Sequence, residues 1–424
     1  MILLLILSHL LLAILMQTNP LFISVHAYLI SIFGIYYILT DSSSDRGLIF
    51  SGYIIGSELL WRGFGANVFW EYGKILGIVC ILLIIFRLNL RKIKLSLGTV
   101  YIFLLLPSLI ILETYNRSDI SHALLGPIFL GLSVTLYKNI NIDRTLFLNI
   151  LLFTLVPIMS LLIITNYNTL FSGGFNYSSA YLDRIETAGI GPNQASNILG
   201  LGALLSFLLI QFLNNKWMPF FQLVGIVAII QTILTHSRGG FWNTLFSIVV
   251  FYFFQLTTGK SRLRLVAGVL PAFLSFYFLI FPFLDDISGG SVVSRFTDTD
   301  LSSREDIVNS ELIAYQENPF FGIGPGQSRK FRLENFNNYK HAHTEYTRLL
   351  AEHGIFGIFT LGILGVLILS TIVRKKGINR SISMTLITWS LLFMTHSATR
   401  LAAPSLIFGL AMANFNLEVK REDK

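Results

Sequence analysis

Three residues of this 424-residue chain have the type and setting that group transfer needs: Arg238, Arg304 and His343. Arg238 stands in Thr235-His236-Ser237-Arg238-Gly239-Gly240, between two apolar runs. An arginine at a membrane boundary ordinarily snorkels to the headgroups. The two glycines that follow it permit close backbone approach, and a planar guanidinium fork suits a phosphate better than any other side chain. Arg304 heads a helical stretch in Ser302-Ser303-Arg304-Glu305-Asp306, where by itself it reads as a solvated charge paired with a neighbouring carboxylate. His343 opens the segment His343–Gly357, where polar chain gives way to an apolar run. Histidine is the side chain whose unperturbed pKa lets it take and release a proton near neutrality. His341 and His353 lie close by and compete as structural interface histidines. Glu345 and Arg348 follow on the same helical stretch and are expected to touch substrate. Their i,i+3 spacing, and that of Arg348 and Glu352 at i,i+4, is also that of plain helix ion pairs.

Other patterns carry less. Asp298-Thr299-Asp300 resembles the paired aspartates that hold a divalent metal in many sugar transferases, but a two-residue pattern in an acidic loop needs only solvation, and no metal or cofactor is expected. Asn318–Gly326 is glycine-rich, yet Gln327 and Ser328 stand where a phosphate-binding P-loop needs Lys and Ser/Thr. A sharp turn that folds the loop back onto the membrane is the better reading. The single cysteine, Cys80, lies within an apolar run, so there is no disulfide framework.

The elements that position these residues are hydrophobic spans. At 53% hydrophobic and 13% charged residues, with mean hydropathy +0.67, the composition is that of an all-α polytopic membrane protein. Apolar windows long enough for a hydrocarbon core of about 30 Å recur along the chain and predict about twelve to fourteen spans. One is expected at 95–113, and the last of them at 347–373, 381–399 and 401–416. Lys and Arg cluster in Arg87–Lys94, Lys260–Arg264, Arg374–Arg380 and Lys420–Lys424, which all fall on one side and mark it as cytoplasmic. The long polar segment 285–345 then lies outside the cytoplasm, with a helix over about Arg304–Tyr315 stopped by Glu317-Asn318-Pro319. The net charge of +8 is this bias rather than a sign of nucleic acid. The organisation expected is an N-terminal bundle over 1–190, a catalytic region over 191–373 that includes the loop, and C-terminal helices with a cytoplasmic tail over 374–424.

Four pieces in order resemble the bacterial O-antigen ligase and O-antigen polymerase superfamily of membrane glycosyltransferases. They are Gly191-Pro192-Asn193-Gln194 opening a span, Ser237-Arg238-Gly239, the Ser303-Arg304 helix leading to Asn318-Pro319 and Gly322, Gly324 and Gly326, and His343-Thr344 followed by Gly354 and Gly357. Thr344 departs from the pattern, which more often has Asn, Ser or Asp there. The resemblance covers about 190–360. It implies a plasma-membrane enzyme whose donor is a glycan linked through a diphosphate to undecaprenol and whose acceptor is a sugar hydroxyl, by inversion and without a metal. It implies Arg238 and Arg304 for the departing diphosphate and His343 for the hydroxyl proton. A transporter or flippase of lipid-linked glycans is the rival reading, with Glu58, Glu71, Lys74 and Glu113 along a pathway, but the chain lacks the paired repeats common in transporters.

Overall fold

In a bilayer every backbone N–H and C=O needs a partner inside the protein, so apolar runs of this length fold as helices. The structure, a computed structural model, describes residues 2–40, 43–88, 96–112, 116–171, 191–213, 216–235, 237–256, 258–275, 302–337 and 342–417, with positions 278, 282–283 and 286. The chain is almost entirely helical. It begins with α1 (Ile2–Thr18), α2 (Leu21–Thr40), α3 (Asp45–Gly63), α4 (Tyr72–Arg87), α5 (Leu97–Leu105) and α6 (Arg117–Tyr137). After strand β1 (Asn141–Asp143) come α7 (Arg144–Phe171), α8 (Pro192–Phe212), α9 (Met218–Leu234), α10 (Arg238–Gln255) and α11 (Gly259–Ser275). The polar segment supplies α12 (Ser302–Glu317), α13 (Ser328–Phe336) and α14 (Glu345–His353). The chain then runs through α15 (Ile355–Arg374), α16 (Gly377–Ser397), α17 (Ala403–Leu410) and β2 (Asn414–Asn416). Among the described residues five helices are long and apolar enough to cross a membrane: α2, α6, α7, α8 and α15. Five such helices are consistent with a polytopic membrane protein.

Three expected spans differ from the hydropathy reading. The run 347–373 is two helices, α14 and α15, broken at Gly354, whose φ of 57° stops the first and turns the chain into the second. Polar Glu345, Arg348 and Glu352 give α14 a face that needs protein partners, not lipid. The run 401–416 holds only the eight-residue α17, every residue of which is buried, because its apolar residues fill the bundle interior rather than span. The run 95–113 yields the short α5 and a single 3-10 turn at Pro107–Leu109, since proline cannot continue the helix. Among the described residues two three-residue strands depart from the all-α expectation: β1 and β2 pair in parallel, Asn141 opposite Asn414 and Asp143 opposite Asn416.

That pair marks one end of the bundle. Lys375 joins it there, its ammonium donating to Ser383 Oγ and Ala411 O at 2.8 Å. The helices α12–α14 lie at the opposite end, against the start of α6 and the turn after α5. Two features of that end position the site. First, α8 and α10 meet at their N-termini almost backbone to backbone: a Cβ on Gly240 would stand 1.9 Å from Ser196 O, an approach only a small residue allows. Second, the chain between α16 and α17 is irregular, with Ala398 at φ 49°. Its backbone is satisfied by side chains and loop chain from elsewhere. Ala398 N donates to His343 O (3.1 Å), Thr399 N to Glu345 Oε2 (2.9 Å) and Ala402 N to Glu58 Oε2 (2.6 Å), while Arg400 O accepts from Arg62 (3.0 Å). Non-helical backbone inside a bundle persists only where such partners exist.

Candidate active site

Each candidate residue sits where a helix begins. Arg238 is the first residue of α10, and Ser237 before it donates to Asn193 Oδ1 of α8 (2.8 Å). Ser196 Oγ bridges Ser237 O and Gly240 N at 2.9 and 3.1 Å. Two helix N-termini, with their exposed N–H groups and positive dipole ends, therefore converge beside Arg238. Gly239 faces the ring of His396, where an added Cβ would come within 3.3 Å of the imidazole. Arg304 lies in the first turn of α12, and the spacing of buried Ile307, Ser310, Glu311 and Ala314 seats that helix on its neighbours as the periodicity predicts.

His343 lies just before α14, half-buried, its main chain tied to Ala398. Thr344 caps the helix by accepting from Tyr346 N at 3.2 Å, a role in which threonine serves as well as the commoner residues. The imidazole Nδ1 is buried with no hydrogen-bond partner among the described residues. Burial, then the charges of Arg400 and Arg304, hold the His343 pKa down to about 4, so the ring is neutral near pH 7 with a lone pair available. Arg304 acts electrostatically on both His343 and His396, and Arg238 on His396. His396 thus feels the charge of both arginines.

The other histidines differ. His353 is buried with Nδ1 2.6 Å from Ser108 Oγ, and burial pushes its pKa down to about 3. His341 and His236 lie outside the described residues, as do Glu113 and the pair Asp298 and Asp300. Among the described residues no group of three His, Cys, Asp or Glu could hold a metal ion.

Glu345 and Arg348 take different positions. Glu345 is buried with both oxygens engaged, Oε1 by Arg348 at 2.5 Å and Oε2 by Thr399. Arg348 also reaches Glu352 (3.2 Å) and Ala123 O (3.1 Å), and part of it lines a cleft of about 630 Å³. That cleft runs from Ala342 and Ala398, beside His343, past Arg332 and Arg400 to Trp70 on the α3–α4 turn. Beneath it Glu311 pairs with Arg332 at 2.8 Å and accepts from Thr347 at 2.5 Å, joining α12, α13 and α14. Burial raises the Glu311 pKa to about 7 despite those partners.

Arg62, Arg332, His396 and Arg400 escape a reading of the sequence as separate segments. A signal for Arg400 does exist: it interrupts two apolar runs at the same end of the bundle as Arg238. Of the charges offered for a transport pathway, Glu58, Glu71 and Lys74 belong to one set of ion pairs. Arg62 lies 2.7 Å from Glu58 and 3.5 Å from Glu71, which is 2.8 Å from Lys74 and 3.1 Å from His122. Although burial opposes its charge, the hydrogen bond from His122 and the cations Lys74 and Arg62 hold the Glu71 pKa at about 2.

No curated protein matches this chain. Residues 223–362 match the model of a family described as O-antigen ligase, so that part of the chain, which holds Arg238, Arg304, His343, Glu345 and Arg348, is similar to that family, whereas Arg62, His396 and Arg400 lie outside the matched residues.

Proposed function

We propose that the protein is a glycosyltransferase of a bacterial plasma membrane that moves a glycan from an undecaprenyl-diphosphate carrier to a sugar hydroxyl, as an O-antigen ligase or polymerase does. The observation that carries the reading is His343: a neutral histidine with an open ring nitrogen, between two arginine clusters, in the stretch similar to the O-antigen ligase family. The acceptor oxygen attacks the anomeric carbon as the bond from that carbon to the diphosphate oxygen breaks. The electron pair leaves with the lipid diphosphate, the configuration inverts, and the hydroxyl proton passes to the His343 imidazole.

Arg238, Arg304 and the paired N-termini of α8 and α10 stabilise the charge that grows on the leaving group, a preorganised field that usually dominates such catalysis. The donor's charge has a second effect. It offsets the cations that depress His343, so the base strengthens when substrate is bound. Glu345 acts as a positioning residue, fixing Thr399 and with it the irregular segment that carries Arg400. The ion-pair set around Glu58 and Arg62 braces the same segment, which favours an enzyme over a transport pathway.

The test is transfer by the full-length protein in lipid nanodiscs with an undecaprenyl-diphosphate oligosaccharide. Arg238→Lys keeps the charge but loses the planar fork and is expected to cut the rate at least about tenfold. A fully active Arg238→Lys enzyme, or one abolished by chelator, refutes the proposal. Orientation is read separately: a cysteine at exposed Lys330, rather than buried Ser328, should react with an impermeant reagent in intact spheroplasts.

A further inference from the structure

We infer that the cleft between α13, the α3–α4 turn and the segment after α16 is the acceptor subsite, and that it takes a saccharide carrying carboxylate or phosphate groups, whose charge is received by Arg400. This rests on the transferase reading and adds the class of acceptor to it. The placement follows from His343. Gly239, next to Arg238, packs against the His396 ring, and the cleft, which reaches Gln194 at the start of α8, begins at Ala342 and Ala398, the second of which donates to His343 O. A base at that junction is where a hydroxyl from the cleft meets an anomeric carbon held by the arginines.

The charge preference follows from the pairing of the arginines that line the cleft. Arg329 is exposed on α13, and of the buried arginines Arg62, Arg332 and Arg348 each face a carboxylate within 3.5 Å, so the charges of those three are largely neutralised. Arg400 differs. Its guanidinium donates to the Ala342 carbonyl and has no carboxylate within ion-pair distance among the described residues. Burial above all, with repulsion from Arg348 and Arg332 that Glu345 and Glu311 partly offset, lowers its pKa to about 10. An anion there relieves that repulsion and accepts a bidentate pair of hydrogen bonds.

The mouth has a different character. Trp70 is 60% exposed, with Arg62 5.0 Å from its ring centroid, and offers a flat face to a sugar ring. Asp119, also exposed at the rim, accepts from Asn116 and puts a negative charge there. The cleft therefore holds a buried cation at the His343 end, while exposed Trp70, Asp119 and Arg329 line it with an aromatic face and both signs of charge. An acceptor with its anionic group close to the attacking hydroxyl would be received by Arg400.

The experiment measures binding to the purified full-length protein in detergent with three probes: tetragalacturonate, maltotetraose and farnesyl diphosphate. Tetragalacturonate should bind at least about tenfold tighter than maltotetraose, the scale of one charge-assisted hydrogen bond. Arg400→Gln should erase that preference and Arg400→Lys should retain most of it, while neither changes farnesyl diphosphate binding. Equal affinity for the two saccharides overturns the inference. So does an Arg400→Gln protein that loses farnesyl diphosphate and keeps the saccharide preference, because Arg400 then serves the donor. A farnesyl diphosphate affinity indifferent to Arg238→Lys counts against the donor assignment instead, and leaves the saccharide result to stand or fall separately.

Discussion

The two ends of α14 contain similar chemistry and have opposite fates. Each has a histidine and a buried glutamate, and Arg348 between them bonds to both carboxylates. At the C-terminal end the backbone closes over everything. Ile323 N and Gly324 N donate to Ala351 O and Glu352 O (2.8 and 3.1 Å), Ile355 N donates to Pro319 O (2.8 Å), and His353 is held by Ser108. Gly322 and Gly354 make that interlock possible, with φ of 73° and 57° and no room for a Cβ, which would approach backbone atoms to 2.4 and 2.6 Å. At the N-terminal end the backbone of His343 is held by Ala398, yet its ring Nδ1 is left without a hydrogen-bond partner among the described residues, next to the start of a cleft. The glycines next to the histidines in the sequence therefore hold the scaffold, and the chemistry belongs to the end that the scaffold leaves unfilled.

Exchanging the histidines for alanine tests this contrast most severely. His343→Ala should lower transfer by about 10²–10⁴ with folding and donor binding kept, as removal of a positioned base does. His353→Ala should instead lower the thermal midpoint and leave the rate of the folded fraction within a few-fold. A folded His343→Ala enzyme with more than about a tenth of the normal rate would end the distinction.

At the closed end, Gly354→Ala is expected to destabilise by about 1–3 kcal/mol or more through strained backbone, seen as loss of folded protein on size exclusion. Normal yield and melting would show that the interlock gives way easily. At the open end, Glu345→Gln keeps an acceptor for Thr399 but weakens the ion pair with Arg348. The expected loss is about 1–2 kcal/mol in thermal stability, together with a raised KM for the acceptor. A changed kcat with KM untouched would make Glu345 more than a positioning residue.

The smallest effect is in the pH profile. His343 must be neutral to act, so rates fall as pH drops through its pKa. With the free-protein value at about 4, the acid limb of kcat/KM should lie well below 6.5, and that of kcat higher because bound diphosphate offsets the cations. Arg304→Gln removes one depressing charge and should move the kcat/KM limb upward, by on the order of one unit or less. An unmoved limb would mean that burial alone sets the value.

Much of this was legible in the sequence, for reasons visible in particular residues. The polar segment's helix, its stop at Asn318-Pro319 and the sharp turn through Gly322–Gly326 are written in local pattern, and the structure has all three. The run 347–373 misled because hydropathy averages over a window, while one glycine at Gly354 divides a buried polar helix from a long apolar one. The expected contact roles of Glu345 and Arg348 were drawn from neighbourhood in the chain, which says nothing about Thr399, fifty-four residues away, to which Glu345 is bonded.

The sequence by itself determined that this is a helical membrane protein, that one polar insertion interrupts it, and that Arg238, Arg304 and His343 stand at its boundaries. Hydrophobic length, glycine and proline act on their own few neighbours, so these properties are local. Only the tertiary structure decided that the chain breaks between α16 and α17, that His396 and Arg400 come beside His343, and which arginines keep a carboxylate. Those outcomes depend on burial and on ion pairs between residues up to 344 apart in the chain, as for Ala402 and Glu58, and such pairs form only when the packed helices remove water from both partners.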